Sequence, residues 1–220
     1  MTTGGFTDAV LSHAHDIQGG EDILQEVDVR ARCLHYLQTA AEWLANYYPF
    51  RWRKSTAAIT VSTDGFEAPT PTDFHSYGYE CQVSRSADGV ILDPRSDEEV
   101  TRLGFVAPTN AGLPRIWSPR SVSGIGLFPG APSVALDMAN YFRRVAIMTD
   151  GPTTPIDMIP EQYHRTILFN FVMSRLFFGA GDDRSAELDA LVERQARQAI
   201  ADENMTPVRN RLPRYGRGRW

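Results

Sequence analysis

Lysine is nearly absent from this chain. Lys54 is the only one, so twenty-one of the twenty-two basic residues are arginine. A phosphate-gripping Gly-x-x-x-x-Gly-Lys loop is thereby excluded, because that lysine sits in Arg51-Trp52-Arg53-Lys54 with no glycine before it. Cysteine is scarce as well. Cys33 and Cys81 fall in different expected elements with no metal-ligand spacing, which points to buried free thiols. No apolar run approaches the roughly eighteen residues a membrane helix needs. Met-Thr-Thr-Gly-Gly-Phe at the start has neither a basic nor an apolar leader segment, so no signal peptide is expected. The rest of the composition, 42% hydrophobic and 22% charged over 220 residues, is that of one globular body. Such a chain buries roughly 70% of its unfolded surface. A net charge of −5 argues against a general nucleic-acid coat, which needs a basic face. The arginine excess has two explanations, a GC-rich coding sequence or bidentate contacts across interfaces, and both stay open.

Charge of one sign is missing at each end. Before Arg30 there is no lysine or arginine, while Asp8, Asp16, Glu21, Asp22, Glu26 and Asp28 are all acidic. From Met205 to Trp220 there is no acid but five arginines, two prolines and two glycines. That last segment has too little apolar surface to fold alone. Its Arg209, Arg211, Arg214, Tyr215, Arg217, Arg219 and Trp220 suit an anchor on a partner surface.

Apolar periodicity divides the chain. Ile23, Leu24, Val27, Ala31, Leu34, Leu37, Ala41, Leu44 and Tyr48 recur at helical spacing up to Pro49, predicting one helix of roughly 28 residues and about 40 Å. Strands are expected at Ala57 to Ser62, Tyr77 to Arg85, Val90 to Leu92, Arg115 to Ser118 and Gly124 to Phe128. Two more, Ser133 to Met138 and Tyr141 to Met148, read as a hairpin. Ser86-Ala87-Asp88-Gly89 reads as a turn between strands. Ser96-Asp97-Glu98-Glu99 is a capping box on a short helix that Gly104 should stop. Pro160 starts a helical pattern, Gly179-Ala180-Gly181 breaks it, and Asp182 or Asp183 caps a last helix running to Asn204. The expected fold is α+β: a helical bundle of long helices, one N-terminal and two C-terminal, with a β-rich insertion and an extended C-terminal tail. The boundaries are an N-terminal arm over 1–20, the first helix and an aromatic turn over 21–54, the insertion over 55–150, the closing helices over 151–204 and the tail over 205–220.

Chemistry-bearing patterns are weak. His13-Ala14-His15-Asp16 is a metal-binding arrangement only on a strand with further His and Asp ligands, and His35, His75 and His164 are scattered. Gly124-Ile125-Gly126 lacks a third glycine and a following helix. Ser123 lacks a nucleophile elbow, and Asp73 and His75 have no neighbouring nucleophile. No catalytic, cofactor or metal residue is therefore assigned, and an enzyme is not expected. Tyr47, Tyr48, Phe50 and Trp52, four aromatics within Tyr47 to Trp52, remain as a plug between helix and strands or as a subunit contact.

Taken in order, these segments resemble the head-to-tail adaptor (connector) proteins of tailed bacteriophages, the group that includes tail tubular protein A. The resemblance rests on Asp22 to Tyr48, Pro49-Phe50-Arg51-Trp52, Ile59 to Ser62, Pro71-Thr72-Asp73-Phe74, Ile159-Pro160-Glu161-Gln162-Tyr163 and the closing helices and tail. It implies a structural virion protein at the head–tail junction, made in the host cytoplasm and forming a ring of twelve copies. Its partners would be the portal protein, reached by the C-terminal tail, and tail nozzle or fibre proteins. Viral DNA would pass through the channel without sequence-specific binding. An acidic wall lets a duplex slide where a basic one would grip it. Two other classes fit fewer of these features: a head-completion or tail-terminator connector, and a nucleic-acid-binding module using the arginine-rich tail as an arm.

Overall fold

Apolar residues at helical spacing already build a helix near the start of the chain. In the computed structural model, which describes residues 1–18, 27–78, 80–106, 112–156 and 158–205, helix α1 spans Thr3–Gln18. Its Phe6, Val10, Leu11 and Ala14 are buried. Thr3 Oγ1 donates to Thr149 O at 2.8 Å, and the Gly4 amide donates to Gly151 O at 3.0 Å, pinning its first turn. Helix α2, Val27–Tyr47, buries Cys33, Leu37, Ala40, Ala41 and Leu44 along one stripe. Arg30 on α2 bridges Asp8 of α1 and Asp150, which holds the Asp150 carboxyl below its ordinary pKa.

The C-terminal helical part begins at Pro160 with a short α4, Glu161–Tyr163. A π-helical turn follows at His164–Leu168, and α5 runs through Phe169–Gly179. Gly181, at φ +71°, turns the chain. Asp182 Oδ1 accepts the Arg184 amide at 2.9 Å and starts α6, Arg184–Met205. Asn170 reaches Gln195 at 3.0 Å and Ser174 reaches Asp189 at 2.6 Å, so α5 and α6 run antiparallel. These helices share one core with α1 and α2.

A second core lies between two sheets. The strands are β1 Lys54–Thr60, β2 Glu67–Pro69, β3 Phe74–Ser76, β4 Gln82–Arg85, β5 Asp93–Pro94, β6 Ile116–Ser121, β7 Gly124–Phe128 and β8 Ala135–Arg143. In the first sheet β8 pairs antiparallel with β1 on one side and with β3 and β4 on the other. The second sheet runs β2-β7-β6-β5, with only β5 and β6 parallel. Pro69 and Pro94 lie on its outer strands, where a missing amide costs no ladder bond. Helix α3, Asp97–Val106, packs on this second sheet, with the Glu99 amide donating to Ser96 Oγ at 3.2 Å.

The expected bundle of long helices is overturned. Among the described residues only α2, at 21 residues, and α6, at 22, exceed twenty, and eight strands in two sheets carry a core of their own. Residues 3–18, expected to lie in an arm, form a packed helix, because Phe6, Val10, Leu11 and Ala14 supply an apolar face despite Gly4 and Gly5. The expected 28-residue helix begins, within the described residues, at Val27; Gly19 to Glu26 lie outside them. The expected hairpin near residue 139 is a single strand. Asn140, at φ +60°, is the extra residue of a bulge opposite Ser55 and Thr56, so a turn-favouring side chain kinks β8 rather than ending it. Gly104 lies inside α3 instead of stopping it.

Candidate functional site: the junction of helices and sheets

Pro49 follows the end of α2, and the turn around it carries Tyr48, Phe50 and Trp52 of the expected plug. Phe50 is fully buried in the helical core, while Tyr48 and Trp52 are half-buried against it. Phe50 stacks on Trp52 with centroids 5.1 Å apart and meets Tyr48 edge-on at 5.2 Å. One turn earlier, Tyr47 lies 4.8 Å from Trp43, which in turn lies 5.6 Å from Phe171 of α5.

Polar groups fasten this turn and the last residue of α2 to the second half of α6. Tyr47 Oη donates to Glu193 Oε2 at 2.8 Å, Tyr48 Oη to Asn204 Oδ1 at 2.9 Å, and the Arg51 amide to Glu203 Oε1 at 2.7 Å. The Arg51 guanidinium adds an ion pair to Glu203 at 3.7 Å. The end of α6, which residues 206–220 follow in sequence, is thus held against the point where helix gives way to strand. Within this chain the four aromatics are packing groups. Their hydroxyl and amide partners lie about 150 positions away, where no local sequence signal connects them.

Arg53 closes the turn. It is 4% exposed; Nη1 donates to Ala45 O in the last turn of α2 and Nη2 to Arg143 O at 3.4 Å. Its guanidinium carbon lies 5.5 Å over the Phe142 ring. A cation among the terminal carbonyls of a helix complements their partial negative charge. Burial lowers its pKa from the ordinary arginine value.

The other sequence candidates are not brought together. His13 is exposed on α1 with its ring 5.4 Å from Phe169; the side chains of His15 and Asp16 lie outside the described residues. Asp73 accepts a hydrogen bond from Tyr141 Oη at 2.7 Å, and Ser123 lies in the β6–β7 turn. His164 is 3% exposed, with Nε2 2.8 Å from Ile159 O and no partner for Nδ1 among the described residues; burial holds its pKa below the usual value. Among the described residues no group of three or more His, Cys, Asp or Glu is placed to hold a metal. No helix of the described residues is long and apolar enough to cross a membrane. Both cysteines are free, and burial pushes each thiol up to about 11. Arg209, Arg211, Arg214, Tyr215, Arg217, Arg219 and Trp220 lie outside the described residues.

What stands out is therefore an aromatic turn buttressed by a C-terminal helix rather than a reactive constellation. No curated protein matches the sequence. A family model described as SU10 adaptor protein matches residues 1–214, almost the whole chain. By that match the chain belongs to the SU10 adaptor protein family and is a structural adaptor component of a phage virion.

Proposed function

We propose that the protein is the head-to-tail adaptor that forms a ring of twelve copies between portal and tail. The family match over residues 1–214 carries this reading. In the proposed assembly the acidic chain lines a conduit through which viral DNA slides. Residues 206–220 dock on the portal. Their arginines pair with acidic portal groups, and Trp220 fills a pocket. Nozzle or fibre proteins seat on the opposite face.

The clamp of Tyr47, Tyr48 and Arg51 on α6 supports the docking role, because it gives the segment a rigid point of departure. Ordering such a segment costs conformational entropy, and a ring offsets that cost by presenting many copies at once.

The test is the mass of the purified protein with and without its portal, for the full chain and for a chain ending at Met205. The full chain should form a complex with a ring-sized increment, and the truncated chain should fold yet fail to join it. Equal binding by both chains removes the tail from the mechanism. Monomers at every concentration, with and without portal, end the ring.

A further inference from the structure

β1 is an edge strand, bonded to β8 on one side only. The Val61 amide donates to Val134 O at 2.9 Å and the Ser86 amide to Ala135 O at 3.1 Å, and these two bonds set the alternation of the ladder. Ala57 and Ile59 are in bonded pairs with β8, whereas Thr56, Ala58 and Thr60 turn their N–H and C=O groups outward. Those three residues are exposed, and among the described residues nothing pairs with their backbone. The outer strands of the second sheet, β2 and β5, are three and two residues long, and each carries a proline. β1 has seven residues, no proline and a single charge, Lys54, at its start. An edge left that open is a template for another strand.

The chain itself supplies a strand at the right place. Tyr48 Oη on Asn204 and the Arg51 amide on Glu203 hold the end of α6 beside the turn that feeds β1. The turn Arg51–Arg53 is a 3-10 helix, rising about 2 Å per residue, so Lys54 lies about 6 Å beyond Arg51. Thr206 and Pro207 can span about 7 Å. The next five residues, Val208-Arg209-Asn210-Arg211-Leu212, stand between two prolines and place Val208 and Leu212 on one face and both arginines on the other. Extended, they measure about 16 Å, the length of the five residues from Ala57 to Val61. Charge completes the match. Asp137 of β8 stands opposite Ala58, on the face turned away from the buried Leu136 and Met138. It is half-buried and has no hydrogen-bond or ion-pair partner among the described residues.

We propose that residues 208–212 add to the free edge of β1 in the same chain as a parallel strand, with Val208 beside Ala57 and Leu212 beside Val61. Both strands leave one turn, so they run the same way. Val208 and Leu212 widen the apolar face of Ala57, Ile59 and Val61, and Arg209 crosses the small Ala58 to pair with Asp137. In this register the ladder takes its donors from the amides of Val208, Asn210 and Leu212, so neither Pro207 nor Pro213 interrupts it. A shift by one residue would ask Pro207 for an amide that it lacks. Residues 213–220, with Tyr215 and Trp220, are left as the part that reaches a portal. The pairing needs neither ring nor portal, so its failure leaves the adaptor reading intact.

Amide hydrogen exchange followed by NMR tests this, on the full chain and on a chain ending at Met205, without any partner. The amides of Thr56, Ala58 and Thr60 should exchange at least about tenfold more slowly in the full chain, at every protein concentration, while those of Ala57 and Ile59 stay the same. Asn210→Pro removes a ladder donor from outside the folded body and should abolish the difference. Arg209→Asp should weaken it. Equal exchange at the three amides in the two chains would overturn the pairing, as would an unaltered response in Asn210→Pro. Protection that grows with protein concentration would give the edge to the tail of a neighbouring copy and overturn the assignment to the same chain.

Discussion

The helical and sheet regions of this protein solve burial in different ways. In the helices the core is spread over many small contributions: Ala14, Ala40, Ala41 and Ala199 lie between larger residues from α1, α2, α5 and α6. In the sheets the load converges on β8, which alone pairs with β1, β3 and β4 and sends Leu136, Met138 and Tyr141 into the core. A helix satisfies its backbone locally, so its losses stay local. A central strand satisfies its neighbours' backbone as well, so damage there spreads to three partners. The sheet region should be the more fragile of the two, and the junction decides whether they melt together.

The strongest break of that comparison is Leu136→Ala against Leu44→Ala, both fully buried. Truncation of buried leucine costs about 2–5 kcal/mol. We expect about 4 kcal/mol at Leu136, where strands on both sides resist collapse, and about 3 kcal/mol at Leu44, measured by urea unfolding. A larger loss at Leu44 would reverse the ranking.

Gly78→Ala comes next. A methyl there would sit 2.5 Å from Asn140 O, at the bulge of β8. Overpacking of this kind should cost about 2 kcal/mol and be seen as a lower urea midpoint.

Acid should then distinguish the regions from the other side. The folded pKa of His164 lies below the usual value of about 6.5, so under that pH the unfolded chain takes up a proton that the folded chain refuses. His164 alone should make stability fall as pH drops below about 6.5, by at most about 1.4 kcal/mol per pH unit, with no effect of this group well above it. His164→Gln should remove the His164 part of this slope, leaving the part due to His75, which is shifted the same way. The smallest effect is expected at Tyr47→Phe, which frees Glu193 for about 1 kcal/mol, read as a small shift in thermal unfolding. A shift confined to the helical signal would separate the two regions.

Much of the local structure was legible because its causes are local. β7 begins and ends where the pattern Gly124 to Phe128 does. The capping box at Ser96 makes its bond from the Glu99 amide. Gly89, at φ +68°, closes the turn that Ser86-Ala87-Asp88-Gly89 announces. Asp182 caps α6, which ends one residue beyond the expected Asn204. Helix α1 was hidden because its apolar face is short and flanked by Gly4-Gly5 and Gly19-Gly20. At Asn140 the same residue chemistry serves a turn or a bulge, and only the pairing of β1 on β8 selects the bulge. At the junction, the aromatic turn was visible as composition, but its hold on Glu193, Glu203 and Asn204 was not. Nor was the burial of Arg53 against the end of α2, which depends on what packs around it.

Helix and strand periodicity, capping residues, turn glycines and the unequal charge of the two ends follow from the order of the amino acids alone, since each acts over a few neighbouring positions. The division into two cores, the central place of β8, the clamp between the aromatic turn and α6, and the buried guanidinium were settled only when distant segments met. Burial and pairing across a hundred or more residues depend on which surfaces exclude water together, and no stretch of the chain carries that information by itself.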